Sequence, residues 1–127
     1  MSHQQIRLAP ILSPPDLEAV LRVVAAKGIN IIAVGGSSIE HGGEFGFAVE
    51  DEDLDRALEA LRAAKYKPRS VGVDFAWVDP DQPGALLGVV STVKAQNQSR
   101  GHAIQDIAIG TPKDGKILIQ VYSAARR

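Results

Sequence analysis

The sequence predicts an α+β protein, on three observations. Strand-like runs alternate with helix-like runs along the chain, apolar residues alternate singly in the former and recur every third and fourth position in the latter, and the succession helix, glycine, strand, hairpin occurs twice. At 127 residues and 45% apolar content, the chain is long enough to bury one core, or two short repeats sharing one, without a disulfide or metal staple.

Ile6 to Leu12 reads as a short strand. Ser13 then offers an N-cap hydroxyl, Pro14 and Pro15 suit a first helical turn, and Asp16 complements the helix dipole, so a helix is predicted to begin here. Leu17, Val20, Leu21 and Val24 fall at i, i+3, i+4 and i+7 and form one apolar stripe, which Gly28 closes. Ile29 to Val34 follows as a buried strand. Gly35-Gly36 and His41-Gly42-Gly43 punctuate the next stretch, before Phe45, Phe47 and Val49 alternate with smaller or polar residues; this is a β-turn-β unit, with the glycines able to mark a bulge.

The acidic run Glu50-Asp51-Glu52-Asp53 suits a helix N-terminus, Leu54, Ala57, Leu58 and Leu61 supply its buried face, and Arg62, Lys65 and Lys67 suit its C-terminal end before Pro68. Val71, Val73, Phe75 and Trp77 alternate with Gly72, Asp74 and Ala76 as one strand. Pro83 and Gly84 open a third helix with Leu86, Leu87, Val90 and Val93 facing inward, ending in the Gln96 to Ser99 run. Strands at Ile104 to Gly110 and Ile117 to Tyr122 are joined by Lys113-Asp114-Gly115-Lys116, where Asp-Gly is a hairpin signal. The order is therefore a ferredoxin-like βαββαβ unit followed by a truncated αββ repeat, an antiparallel sheet with helices on one face. The repeats span residues 1–78 and 71–127 and share the strand near 71–78.

Composition excludes several function classes. The 14 basic and 15 acidic residues are interspersed, so neither nucleic acid nor an anionic membrane finds an electrostatic footprint. With no cysteine, thiolate chemistry and Cys-based zinc sites are excluded, and His3, His41 and His102 are too scattered for a metal cluster. The polar start Met1-Ser2-His3-Gln4-Gln5 is unlike a signal peptide and no run is long enough to span a bilayer, so a soluble, cytoplasmic protein is expected. Gly110 to Lys116 lacks the Walker spacing, Gly35-Gly36-Ser37-Ser38 lacks the dinucleotide fingerprint, and Asp51, Glu52 and Asp53 serve a helix start better than a metal. Trp77, Phe45 and Phe47 read as core by their alternation. No catalytic constellation and no cofactor motif emerges.

The segment from Val73 to Leu86, with Asp81-Gln82-Pro83-Gly84 at its centre, resembles the strand, Asp-x-Pro-Gly loop and helix start of ACT domains. Ala26-Lys27-Gly28-Ile29-Asn30-Ile31 is similar to that family's Gly-Ile-Asn-Ile element, and Gly101 to Ile107 is a weaker second copy, with Ala103 at the asparagine position. The resemblance covers most of the chain and is greatest to small stand-alone tandem ACT proteins. It implies a non-catalytic regulatory protein that binds an amino acid or related small ligand at a repeat or subunit interface and alters assembly or a partner. The first repeat carries Ser13-Pro14-Pro15-Asp16 in place of the loop, and the second lacks its last helix and strand. Each repeat thus keeps half of the ligand signature.

The implied ligand-binding residues are Asn30, Asp81, Gln82, Pro83, Gly84, Ala85 and Leu86. Gly84 admits a ligand to the backbone, the N–H groups of Gly84, Ala85 and Leu86 at a helix start favour a carboxylate, Asp81 suits an ammonium group, and the Asn30 amide serves as donor and acceptor. A second reading stands beside it, in which Asp81 caps the third helix, Pro83-Gly84 starts it, and Asn30 is a turn residue. At the level of function the alternative is a ligand-free oligomerisation or protein-interaction module on the same scaffold, with a small enzyme using a cleft histidine as the weaker third reading. The truncated repeat leaves edge strands in need of cover, so a homodimer is expected, with the hairpin Ile104 to Tyr122 joining a second subunit's sheet.

Overall fold

The computed structural model describes residues 4–11, 14–37 and 43–125. The expected N-cap Ser13, and His3 and His41, lie outside the described residues. Strand β1 (Gln4–Ile11) alternates, with Ile6 and Leu8 buried on one face and Gln5 and Arg7 buried on the other. Helix α1 (Pro14–Ala26) brings Val20 and Val24 onto the Ile6 side, and α2 (Leu54–Ala63) adds Ala57, Leu58 and Leu61. Between them run β2 (Ile31–Ser37) and β3 (Gly43–Val49), whose Phe47 and Val49 complete this first core. Phe45 packs on it as well, its ring 5.6 Å from that of Phe47. The glycines after Val34 remain in strand, and the irregularity in β2 falls earlier, between Ile31 and Ala33. The acidic run makes a 3₁₀ turn (Asp51–Asp53) ahead of α2, tied to it by Arg56 donating to Asp53 at 2.8 Å.

The single strand expected over Val71 to Trp77 is two. β4 (Arg69–Gly72) pairs with β1, β5 (Asp74–Val78) pairs with β7 (Ile117–Ala125), and only Val73 separates them. With β6 (His102–Gly110), the seven strands form one antiparallel sheet in the order β4-β1-β3-β2-β6-β7-β5. The first four strands keep the ferredoxin-like order, and the β2–β6 pairing of Ala33 with Gly110 and Val34 with Ile109 welds the repeats. The two outermost strands are consecutive in the chain, joined through Val73, and the sheet is curled. All three helices lie on the outer face, as the sequence predicts: α3 (Ala85–Arg100) covers Ile119, Val121 and Ile107 of the second repeat.

Helix α3 is rotated from the expected orientation. Val93 and Asn97 are its buried residues and Val89 packs beside them, whereas Leu86 is 44% exposed and Leu87 69%. Apolar side chains ring the first two turns, so spacing alone offers two stripes, and the sheet selects the one holding Val89 and Val93. Asn97 lies in this buried stripe and donates to the Ser123 hydroxyl at 2.9 Å. The final hairpin closes as expected, with Asp114 and Gly115 both at positive φ (54° and 77°) and Lys113 and Lys116 exchanging backbone hydrogen bonds of 2.7 and 3.0 Å. Both hairpin strands are internal, β6 to β2 and β7 to β5, so along these pairings their edges are already taken up within the chain.

The inner, helix-free face closes on itself. Its apolar half joins Ala33, Ala48, Ala108 and Leu118, with Ile32, Phe75 and Trp77 packed against them. Its polar half is held by a hydrogen bond from Gln5 to Gln120 at 3.0 Å, spanning strands that are not neighbours in the sheet.

Candidate functional sites on the groove and in the barrel

The Asp-x-Pro-Gly loop is shaped by local hydrogen bonding before any ligand is considered. The Asp79 carboxylate accepts the Asp81 N–H at 2.9 Å, and successive turns follow, Gln82 N–H to Asp79 O and Ala85 N–H to Gln82 O, each at 3.2 Å. Gly84 is the N-cap of α3 at φ +79°, a left-handed conformation that a side chain would strain. No side chain caps this helix start, so Asp81, exposed, does not act as its cap. Of the three N–H groups expected to face a carboxylate, that of Ala85 is already given to Gln82.

Beside this loop runs a groove of about 790 Å³, between β5 and the flank of α3. Gln82, Pro83, Gly84 and Ala85 line its upper end, Ala76, Val78, Val89 and Val93 its apolar floor, and Thr92 and Gln96 its far wall. Asp74, at its lower end, is paired with Arg100 at 3.1 Å. The structure therefore brings four of the seven implied residues to one cavity. Asp81 and Leu86 lie in the same loop and helix turn but off the lining, and Asn30 sits exposed in the turn before β2, in the other repeat and outside this groove. The groove runs along β5, an edge strand of the sheet among the described residues.

A second polar constellation, which sequence reasoning missed, occupies the barrel interior. Arg7, 1% exposed, donates from Nε to Glu44 at 2.5 Å, from Nη1 to Gln5 at 2.9 Å, and from Nη1 and Nη2 to the two oxygens of Asp106. Its guanidinium carbon lies 4.0 Å from the centre of the Tyr122 ring. Gly46 stands opposite Arg7 in the β1–β3 ladder, and a Cβ there would fall 2.5 Å from Nη1, so the glycine makes the space that the guanidinium fills. Arg69 also reaches Glu44, at 2.8 Å. Burial disfavours the charged carboxylate of Glu44, but hydrogen bonds and charge from Arg7, then Arg69, outweigh it and hold its pKa below the ordinary value. Burial likewise works against charged Arg7, and Asp106 and Glu44 more than reverse it. Nothing in the sequence announces this cluster: Arg7 alternates with Ile6 and Leu8 as a solvent-facing residue would. Among the described residues, no three histidine, aspartate or glutamate side chains converge as a metal site, and no helix is long and apolar enough to cross a membrane.

No family model matches the sequence, and no curated protein is similar to it at a significant level. Solved structures are similar in fold. Protein BT0572 from Bacteroides thetaiotaomicron superposes with a TM-score of 0.71 at 21% identity, over 95% of this chain and 78% of that one. The ligand-free regulatory subunit of aspartate kinase from Thermus thermophilus superposes with a TM-score of 0.60 at 18% identity, over 93% and 78%. At these identities the likeness establishes a shared fold.

Proposed function

We propose that this chain is a non-catalytic regulatory protein of the ACT type, which binds an amino acid or related small ligand in the groove between β5 and α3. The observation that carries the reading is the uncapped start of α3 at Gly84, opening onto a groove with an apolar floor. A ligand carboxylate finds the positive end of the helix dipole there, and a side chain finds Ala76, Val78 and Val89. The shared fold with a regulatory subunit of aspartate kinase supports a regulatory role. Asn30 lies off this groove, so a composite site draws it from a second copy of the chain, brought up along the open side of β5. The domain boundaries follow the same reading, with the run 71–78 serving both repeats.

Calorimetry of the intact chain against the set of free amino acids tests this, with Gly84→Asp as the control. A heat with one amino acid or a related group that Gly84→Asp removes is the expected result; no Gly84-dependent heat with any of them overturns ligand sensing in the groove. One feature favours the second reading, an oligomerisation or protein-interaction module: Leu86, Leu87, Val34 and Ile109 are all 44% exposed or more on the outer face. Sedimentation showing monomer alone would remove the composite site and the oligomerisation form of this alternative.

A further inference from the structure

Where β3 and β4 face β6 and β7, the barrel opens into a cavity of about 770 Å³, within the range that small-molecule sites occupy. Its wall is Glu44, Arg69, Gln105 and Tyr122, with three alanines of β6 and β7 between them. Glu44 and Arg69 come from the first repeat and Gln105 and Tyr122 from the second, so the cavity exists only while the sheet is curled.

The charges at this mouth are of both signs. Asp106 is taken up by Arg7 within the barrel, while Arg7 and Arg69 both bond the same oxygen of Glu44, Oε1. A carboxylate has a second oxygen, Oε2, and Glu44, 29% exposed, is one of the residues lining the cavity. Arg69 is 57% exposed, and of the five donors of its guanidinium Glu44 engages one. The buried Arg7, stacked on the Tyr122 ring and bonded to Asp106, holds Glu44 from the inner side while Arg69 bridges to it from the exposed side at 2.8 Å.

We propose that the barrel mouth is a second ligand site, separate from the α3 groove, built for a small zwitterion: its carboxylate on Arg69, its ammonium group on Glu44 Oε2, and a short apolar side chain against Tyr122 and the alanines. A pure anion would meet Glu44 and a pure cation Arg69, so both charges are required in one molecule. Because both repeats build the wall, occupancy of this site favours the curled state of the sheet.

The test is nitrogen-15 NMR of the intact chain titrated with L-alanine, with propionate and ethylamine as the same molecule lacking its ammonium or its carboxylate. L-Alanine is expected to shift the Gln105 and Tyr122 signals, with each fragment weaker by about tenfold or more, the loss of one charge-assisted hydrogen bond. Arg69→Ala, an exposed position, is expected to weaken L-alanine by about tenfold or more, whereas Gly84→Asp, in the separate α3 groove, leaves the Gln105 and Tyr122 shifts unchanged. Signals at Gln105 and Tyr122 that stay fixed, a midpoint indifferent to Arg69→Ala in a folded variant, or propionate matching L-alanine would each overturn the proposal. Shifts confined to Gly84–Leu86 would overturn it while leaving the groove reading intact.

Discussion

Arg7→Met takes away the cation that Asp106 and Glu44 share inside the barrel. Arg7 is 1% exposed and the Asp106 side chain 10%, so the variant leaves a nearly buried carboxylate with its main partner gone. Breaking a buried pair from one side costs about 3–5 kcal/mol, because the surviving charge is neither hydrated nor paired. Glu44 adds little to that figure, since it keeps Arg69 and more contact with water. Against the roughly 5–15 kcal/mol that holds a domain together, the loss is large, and with a urea slope of about 2 kcal/mol/M the unfolding midpoint falls by about 1.5–2.5 M. Trp77, the sole tryptophan, packs against the inner face and reports the transition by fluorescence. The double variant Arg7→Met/Asp106→Leu removes both charges and should recover most of the loss, because apolar side chains in place of a buried ion pair are neutral or stabilising. A single variant that loses less than about 1 kcal/mol, or a double variant no better than the sum of its singles, refutes the argument that the charge left behind sets the cost.

Two further outcomes follow from the same structure. Glu44 has a folded pKa below its ordinary 4.5, so its contribution to stability is present above that value and is lost as the pH falls through the lower folded pKa; Glu44→Gln should flatten stability against pH in the acid range below about 4.5, and an unchanged acid limb in urea titrations would contradict this. On α3, Val93→Ala should cost about 1.5–3 kcal/mol and Leu87→Ala less than about 0.5 kcal/mol in the monomer, and the reverse order in thermal unfolding would restore the orientation that periodicity suggested.

Features fixed by neighbouring residues were legible in the sequence. The stripe holding Val20 and Val24, the α2 face with Leu58 and Leu61, and the Asp114-Gly115 turn all rest on interactions within a few residues, where spacing and φ preferences decide. Features decided across the sheet were not. Val71 to Trp77 alternates without interruption, and only its two sets of partners, β1 and β7, split it at Val73. Gln5 and Arg7 have the pattern of solvent-facing residues and become interior only because the curl covers them. Leu87 is more apolar than the position it occupies, and no local rule distinguishes its stripe from that of Val89. For the site, the loop chemistry of Asp81 to Gly84 is written locally, including the Asp79 turn that shapes it, while the distance of Asn30 from the groove belongs to the fold.

The single residue between β4 and β5 gives the sheet an unusual mechanical character. An open sheet can relax by letting its first and last strands drift apart, since nothing but side chains joins them. Here the first and last strands are covalently one segment with Val73 as its joint, so the seven strands behave as a hoop. A hoop answers a load at one point by changing shape all the way round. The joint thus links β5 directly to β4, and β4 pairs with β1, where Gln5 and Arg7 hold the opposite wall.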